Sequence, residues 1–347
     1  MSVQENYKFV QTTRASRVAG LAGVVILIAL IAAPWWAGRG DMRLLSEIFL
    51  YLSLAALWNL LAGYAGLVSV GQQAFVGLGG YGLFALAMFF GIHPLLAVPL
   101  VALIAAVVAL PVAVLIFRLS GAYFAIGTWV IAEVFRLGFA QVTSLGGGSG
   151  TSLPIGIVKS IAASRSMRES VSYWMALGMI VLVLAVVYFW LRSRHGFPLT
   201  AIRDNELAAK SLGVDIWRTK FQVYVLTAGL TASVGALIFL QKLRISPDAA
   251  FSVNDWTAYV IFIVVIGGIG TIEGPIIGTL VFFLLRGFFA DLGTAYLIIL
   301  GLVAIVVILK SPTGIWGWVS KKYDIALFPL ARRVIRINPS NEDRNAS

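Results

Sequence analysis

The sequence predicts an all-α, polytopic membrane protein, and three observations carry that expectation. Of its 347 residues 60% are apolar and 12% charged, against roughly 45–50% and 25% in soluble domains. Mean hydropathy is +0.93. Apolar runs of about 20 residues, the length a helix needs to cross a bilayer, recur from Val18 to Leu309 with no gap the size of a soluble domain.

About ten spans are expected, because backbone polar groups at membrane depth must be satisfied within the span. They lie near 18–37, 44–62, 73–90, 95–117, 122–141, 171–191, 221–241, 257–270, 275–290 and 294–310. The first ends in Pro34-Trp35-Trp36 without a small-residue cleavage site, which reads as a retained helix. The second runs into a glycine-rich stretch at Asn59, the fourth stops at Arg118, and the fifth carries Glu133 and Arg136. The sixth ends at a basic segment, 192–220; the eighth is short and enters a second glycine-rich stretch at Gly267; the tenth closes on Lys310. Trp35, Trp36, Trp174, Trp190, Trp256, Trp316 and Trp318 sit near these ends, where an indole buries its ring and keeps its N–H hydrated.

This divides the chain into an N-terminal segment 1–17, a membrane domain 18–310 and a C-terminal tail 311–347. Lys and Arg set orientation, since short positively charged loops stay in the cytoplasm. The segments 1–17, Arg118, 192–220 and 310–347 hold 17 of them, and the opposite loops hold seven: Arg39, Arg43, Lys159, Arg165, Arg168, Lys242 and Arg244. Both termini are therefore expected in the cytoplasm. The tail's basic residues suit an anionic lipid surface, and its last ten residues read as disordered.

Between the second and third spans, residues 59–81 are apolar on average yet rich in glycine and amides. Such a stretch predicts a broken or re-entrant helix, tolerated at membrane depth only against protein or a watery cavity. Asn59, Ser69, Gln72, Gln73 and Phe75 are candidates to line a translocation pathway. Amides bonding across a small-residue seam between helices are the other reading, and both stand. A second interrupted stretch, Gly267 to Gly278, reads as a parallel internal repeat of the first, with Gly270, Gly274 and Gly278 in a small-residue row. Glu273 within it suits a helix cap or a bond to a neighbouring loop.

Glu133 and Arg136 share a helix face and can pair, which lowers the cost of intramembrane charge; such a pair is expected to face the bundle interior, as a pathway element or a register lock. In the loop 193–213, Ala201, Leu207, Ala208 and Leu212 form a small apolar face and Arg203, Asp204 and Glu206 a charged one, with Gly213 as a helix stop. A short docking helix or a surface connector would both look this way.

The segments 59–80, 118–128, 133–137, 194–213 and 267–278 resemble, in order, LivM-type permeases of branched-chain amino acid ABC importers. The most specific match is Ala201-Ile-Arg-Asp-Asn-Glu-Leu-Ala-Ala209. The resemblance implies a type II importer fold and a loop that docks in an ATPase cleft, with His195, Gly196, Ala201, Ile202, Arg203, Asp204, Asn205, Glu206, Ala209 and Gly213 in it. It also implies a paralogous LivH-type permease, two cytoplasmic ATPase subunits that bind ATP and Mg, a periplasmic substrate-binding protein, and a bacterial inner-membrane location. The cargo would be branched-chain amino acids or related small polar solutes, with urea, short amides and aromatic compounds as alternatives. Gln72-Gln73 and Arg194-His-Gly-Phe197 depart from the family's usual Gln-Ala and Arg-Phe-Gly-Arg, which bears on the solute.

Other classes fit less well. There is no cysteine and no Gly-Lys dipeptide, hence no thiol chemistry and no Walker A loop. His93 and His195 are the only histidines, both in predicted loops, so no catalytic or metal site is expected and no cofactor in this chain. An ion-coupled secondary transporter remains an alternative, but it would want deep carboxylates beyond Glu133. The net charge of +11 is dispersed without a nucleic-acid-binding motif.

Overall fold

The computed structural model describes residues 7–10, 14–162, 164–289, 295–323, 327–328 and 333–336. The main helices are α1 (Arg14–Ile31), α2 (Arg39–Asn59), α3 (Gln72–Phe89), α4 (Pro94–Ile116), α5 (Ala122–Ala140) and α6 (Arg165–Arg192). There follow the loop helices α7 (Gly196–Asp204) and α8 (Glu206–Ser211), then α9 (Ile216–Lys242), α10 (Tyr259–Gly267), α11 (Glu273–Phe289), α12 (Ala295–Lys310) and α13 (Gly314–Tyr323).

Each of the ten expected spans contains a helix, but ten is not established as the number that cross. Among the described residues seven segments are long and apolar enough: Arg39–Tyr64, Pro94–Ile116, Ala122–Ala140, Arg165–Arg192, Ile216–Lys242, Pro247–Gly267 and Leu297–Tyr323. The other three coincide with α3, α11 and the apolar part of α1, Ala19–Ile31. α3 is long enough at 18 residues, but it opens on Gln72-Gln73 and carries Gly77, Gly79, Gly80 and Gly82, which make it less apolar than the seven.

The core is built around α9, whose apolar window is 83% buried, packed along α3 and α4. Its seam with α3 is made of small residues. A Cβ on Gly79 would run into the Ala232 carbonyl, and one on Gly235 into Val76. Close backbone approach of this kind replaces the hydrophobic drive that lipid does not supply. α2 lies along α6, and α1 is tied to it where its last carbonyls lack helical partners: the Tyr173 hydroxyl donates to Leu30 at 2.8 Å and Trp174 Nε1 to Ile31 at 3.2 Å.

Some expectations need correction. Trp256 and Trp316 are buried in protein, 3% and 8% exposed, rather than at a lipid boundary. The eighth span ends at Gly267, because Gly268 and Gly270 adopt φ of 135° and 76°. Of the small-residue row, Gly274 and Gly278 press α11 against α10, whereas Gly270 lies in the preceding loop. The tail begins with α13, which packs on α10 and α11. Glu273 accepts from the backbone N–H groups of Leu327 and Phe328 at 3.1 and 2.9 Å, so the loop-bonding role holds. β1 (Tyr7–Val10) pairs antiparallel with β2 (Arg333–Arg336), which joins the N-terminal segment to the tail. The last ten residues lie outside the described residues.

Gly79→Ala should lower the thermal midpoint of the detergent-purified chain, overpacking costing about 1–3 kcal/mol. Gly178→Ala on α6, with nothing within 4 Å of its added Cβ, should leave the midpoint unchanged or raise it. Equal midpoints for the two variants would contradict the seam.

Candidate functional site

The first interruption is a π-helical turn, Leu60–Tyr64, that ends α2. The chain then returns alongside α2: Trp58 Nε1 donates to the Ser69 carbonyl at 2.7 Å and Gln72 Nε2 to the Leu54 carbonyl at 3.0 Å. The expected broken helix is thus present. The second interruption, Gly268–Ile272, separates α10 from α11.

The two breaks meet. Asn59 donates from Nδ2 to the Thr271 carbonyl at 2.8 Å and accepts through Oδ1 from the Gly270 N–H at 2.8 Å. Contact is so close at Gly63 that a Cβ there would collide with Asn59 Oδ1 and stand 2.9 Å from Gly270 Cα. Both breaks therefore lie at the same end of the bundle.

The loop between α6 and α9 reaches the same point. Arg203 at the end of α7 donates from Nη1 to the Gly63 carbonyl at 2.8 Å, while Asp204 Oδ1 accepts from its Nε at 2.8 Å. A charge-assisted bond of this type contributes about 1.5–3 kcal/mol. Asn59, Gly63, Gly270 and Arg203, spread over more than two hundred residues of chain, form one hydrogen-bonded junction.

The loop itself holds two helices where one was expected. Asn205, at φ −159° and ψ 107°, breaks the run, and its Oδ1 accepts from Ala208 N–H at 3.0 Å to cap α8. Gly213, at φ 83°, follows α8 and ends it. Leu199, Ile202 and Ala209 are buried and seat the loop on the bundle. Ala201 is half-buried, and Gly196 is pressed against the Leu191 backbone. Of the expected apolar face, Leu207 and Leu212 point away from the bundle, each 78% exposed. Lys220 bonds Glu206 at 2.7 Å and ties α8 to α9. His195 stacks on Trp190, ring centroids 5.1 Å apart.

The pathway candidates divide into two groups. Asn59, Ser69, Gln72, Gln73 and Phe75 are all buried inside this chain. Gln73 Oε1 accepts a short hydrogen bond from Thr257, and Phe75 meets Tyr224 edge-on at 5.8 Å. Gln72 lines a small void of about 20 Å³ with Ser69 and Phe75, and its Oε1 has no hydrogen-bond partner among the described residues. That volume holds about one water molecule, not a solute.

Glu133 and Arg136 do pair, Nη2 to Oε1 at 2.6 Å, but on an outward face of α5 rather than toward the interior. The Glu133 side chain is 45% exposed, and only 17% of the α5 apolar window is buried. Asp248, which no local spacing marks, extends the pair at 2.8 Å from Arg136 Nη1. Sequence reasoning also missed Glu47, which pairs with Arg286 at 2.6 Å across α2 and α11. Partners that far apart in sequence leave no periodic signal. Among the described residues no cluster of three or more His, Cys, Asp or Glu could hold a metal ion.

The family model for the branched-chain amino acid transport system permease component matches residues 42–309. The chain belongs to that family. It is 25% identical over 314 residues to the high-affinity branched-chain amino acid transport system permease protein LivM of Salmonella typhimurium, and equally so to LivM of Escherichia coli, covering 84% of this chain and 73% of each relative. The autoinducer 2 import system permease protein LsrC of an Enterobacter species is 32% identical over 128 residues, 36% of either chain. No solved structure matches. The chain is thus a multi-pass permease component of the branched-chain type.

Asn59→Ala should destabilise the chain by about 2 kcal/mol or more, since the Gly270 N–H and the Thr271 carbonyl both lose their partner. Reversible denaturation in detergent reads this; an unchanged midpoint would mean that the junction does not hold the two breaks together.

Proposed function

We propose that this chain is one of two membrane-spanning subunits of a bacterial inner-membrane ATP-driven importer that carries branched-chain amino acids or related small polar solutes into the cytoplasm. Two cytoplasmic ATPase subunits bind ATP and Mg and supply the work, and a periplasmic binding protein delivers the solute. The termini, the α7–α8 loop and both helix breaks lie on the cytoplasmic side, in keeping with the 17 Lys and Arg on that side.

The observation that carries this reading is the bond from Arg203 to the Gly63 carbonyl. It ties a loop with exposed leucines, the apolar knobs an ATPase cleft would grip, directly to the first interrupted helix and, through Asn59, to the second. Displacing that loop by a few ångströms moves Gly63 and, through Asn59, Gly270. A rigid-body push on the loop becomes a change at the breaks without any mobile cofactor.

The second permease subunit, a LivH-type paralogue, covers α5. Glu133 and Arg136 lie on the exposed side of a helix otherwise lined outward by Tyr123, Ile126, Val130, Val134 and Leu137, and Asp248, from the short helix Pro247–Ala250, reaches Arg136 there. Charge at that depth is costly in lipid and is found against protein or a water-filled path. The solute path would run between the two subunits along this face, and Glu133 and Arg136 would border it.

The test is affinity purification of the tagged chain in mild detergent, followed by transport in proteoliposomes. Walker-motif ATPases and a second permease should co-purify. Charge reversal at Arg203 and Glu206 should leave insertion and ATP hydrolysis in place while solute taken up per ATP falls about tenfold, equivalent to about 1.4 kcal/mol of lost coupling. Isolation as a lone homo-oligomer, or unchanged uptake and solute-stimulated hydrolysis in the double variant, would overturn the reading.

A further inference from the structure

At the end of the bundle opposite the junction, a cavity of about 470 Å³ opens between α2, α9, the segment before α10, and α11. Its size falls within the roughly 300–1,000 Å³ of small-molecule sites. Arg43 stands at its mouth and Tyr51 at its floor, eight residues or about 12 Å deeper along α2. The floor is closed by aromatic contacts of Tyr51 with Trp256 and Phe282, both at 5.8 Å between ring centroids.

The walls carry both signs of charge. Glu47 is engaged by Arg286, but two other groups form no contact ion pair among the described residues. The Asp255 carboxylate accepts no hydrogen bond there, and the Lys242 ammonium, 4.7 Å from the centroid of Trp256 and 5.6 Å from that of Phe239, has Asp255 and Glu47 near enough to attract it but forms a contact ion pair with neither. Beside them Gln241 Nε2, buried at the atom, also lacks a partner. A cation and an anion that attract each other without touching, and an amide donor with no partner among the described residues, thus border one cavity with an aromatic floor.

The charge count points the same way. Of the seven Lys and Arg that lie on the outer side against the positive-inside trend, Arg43 and Lys242 line this cavity. Arg39, Arg43, Arg165 and Arg168 line an adjoining cavity of about 270 Å³ that shares Arg43 and Gln241 with it. Basic residues retained where topology disfavours them mark a function for positive charge at this mouth.

We infer that this cavity binds a zwitterionic solute. Lys242, Arg43 and Gln241 hold the carboxylate, Asp255 holds the ammonium, and Tyr51 with Trp256 receives an apolar side chain. The inference rests on the importer reading and adds to it a solute site within this chain, at the outer half of the membrane, that selects amino acids over neutral solutes.

Binding of tritiated L-leucine to the full-length chain in nanodiscs, read by scintillation proximity, tests it. Unlabelled leucine should displace the probe. 4-Methylpentanoate, which lacks the ammonium, and 3-methylbutan-1-amine, which lacks the carboxylate, should each compete at least about tenfold less well. Lys242→Met and Asp255→Asn should each weaken binding about tenfold, with Lys242→Arg restoring most of it and Lys159→Met, at an exposed position that lines neither cavity, leaving it unchanged. Equal competition by the three compounds, or binding indifferent to both Lys242→Met and Asp255→Asn, overturns the site. Absence of saturable binding in a chain that still co-purifies with an ATPase discards the site and leaves the importer reading standing.

Discussion

The structure depends on a single polar junction, the contact of two broken helices through Asn59 and Gly270 with Arg203 bonded to Gly63 beside them. A transmembrane helix can be interrupted only if the freed backbone groups find partners, because hydrocarbon offers none. Here each break supplies part of what the other lacks. The Asn59 amide, donor and acceptor at once, meets one carbonyl and one N–H of the second break. The guanidinium of Arg203 meets a carbonyl of the first. The absence of a side chain at Gly63 lets the two backbones approach closely enough for this exchange.

From that junction the rest of the architecture follows. With the breaks fixed at one end, the non-helical segment 66–71 returns along α2, and α3 starts deep in the bundle, packed on α9 through glycine and alanine. The α7–α8 loop, seated by Leu199, Ile202 and Ala209, has its charged end in the junction and its leucines outward. Functional charge is segregated along the molecule. One end of the bundle holds the hydrogen-bonded junction, the exposed face of α5 meets Asp248 in a charged triad, and the opposite end holds a cavity lined by groups of both signs.

Much of this was legible in the sequence, because hydropathy and glycine content report directly on spans and on helix breaks. All ten predicted spans carry helices, both interruptions lie where glycine clusters, and the match with the permease family covers residues 42–309. What sequence could not give was partnership between distant residues. Nothing local marks Asp248 as the third member of the Glu133–Arg136 pair, or Glu47 as the partner of Arg286. Orientation about the helix axis was likewise hidden: the ion pair on α5 was expected inward and faces outward, and Leu207 and Leu212 face away from the bundle. The two-helix form of the loop turns on Asn205, whose side chain caps the second helix rather than continuing the first.

The most direct test of the account is a double-mutant cycle between Arg203 and Asn59, scored as solute transported per ATP hydrolysed by the reconstituted assembly. If loop and breaks move as one unit, Arg203→Met and Asn59→Ala share a single path of transmission. Their combined effect then falls short of the sum by about 0.5 kcal/mol or more. Strictly additive losses would mean that the loop acts on the membrane helices by a route that bypasses the junction.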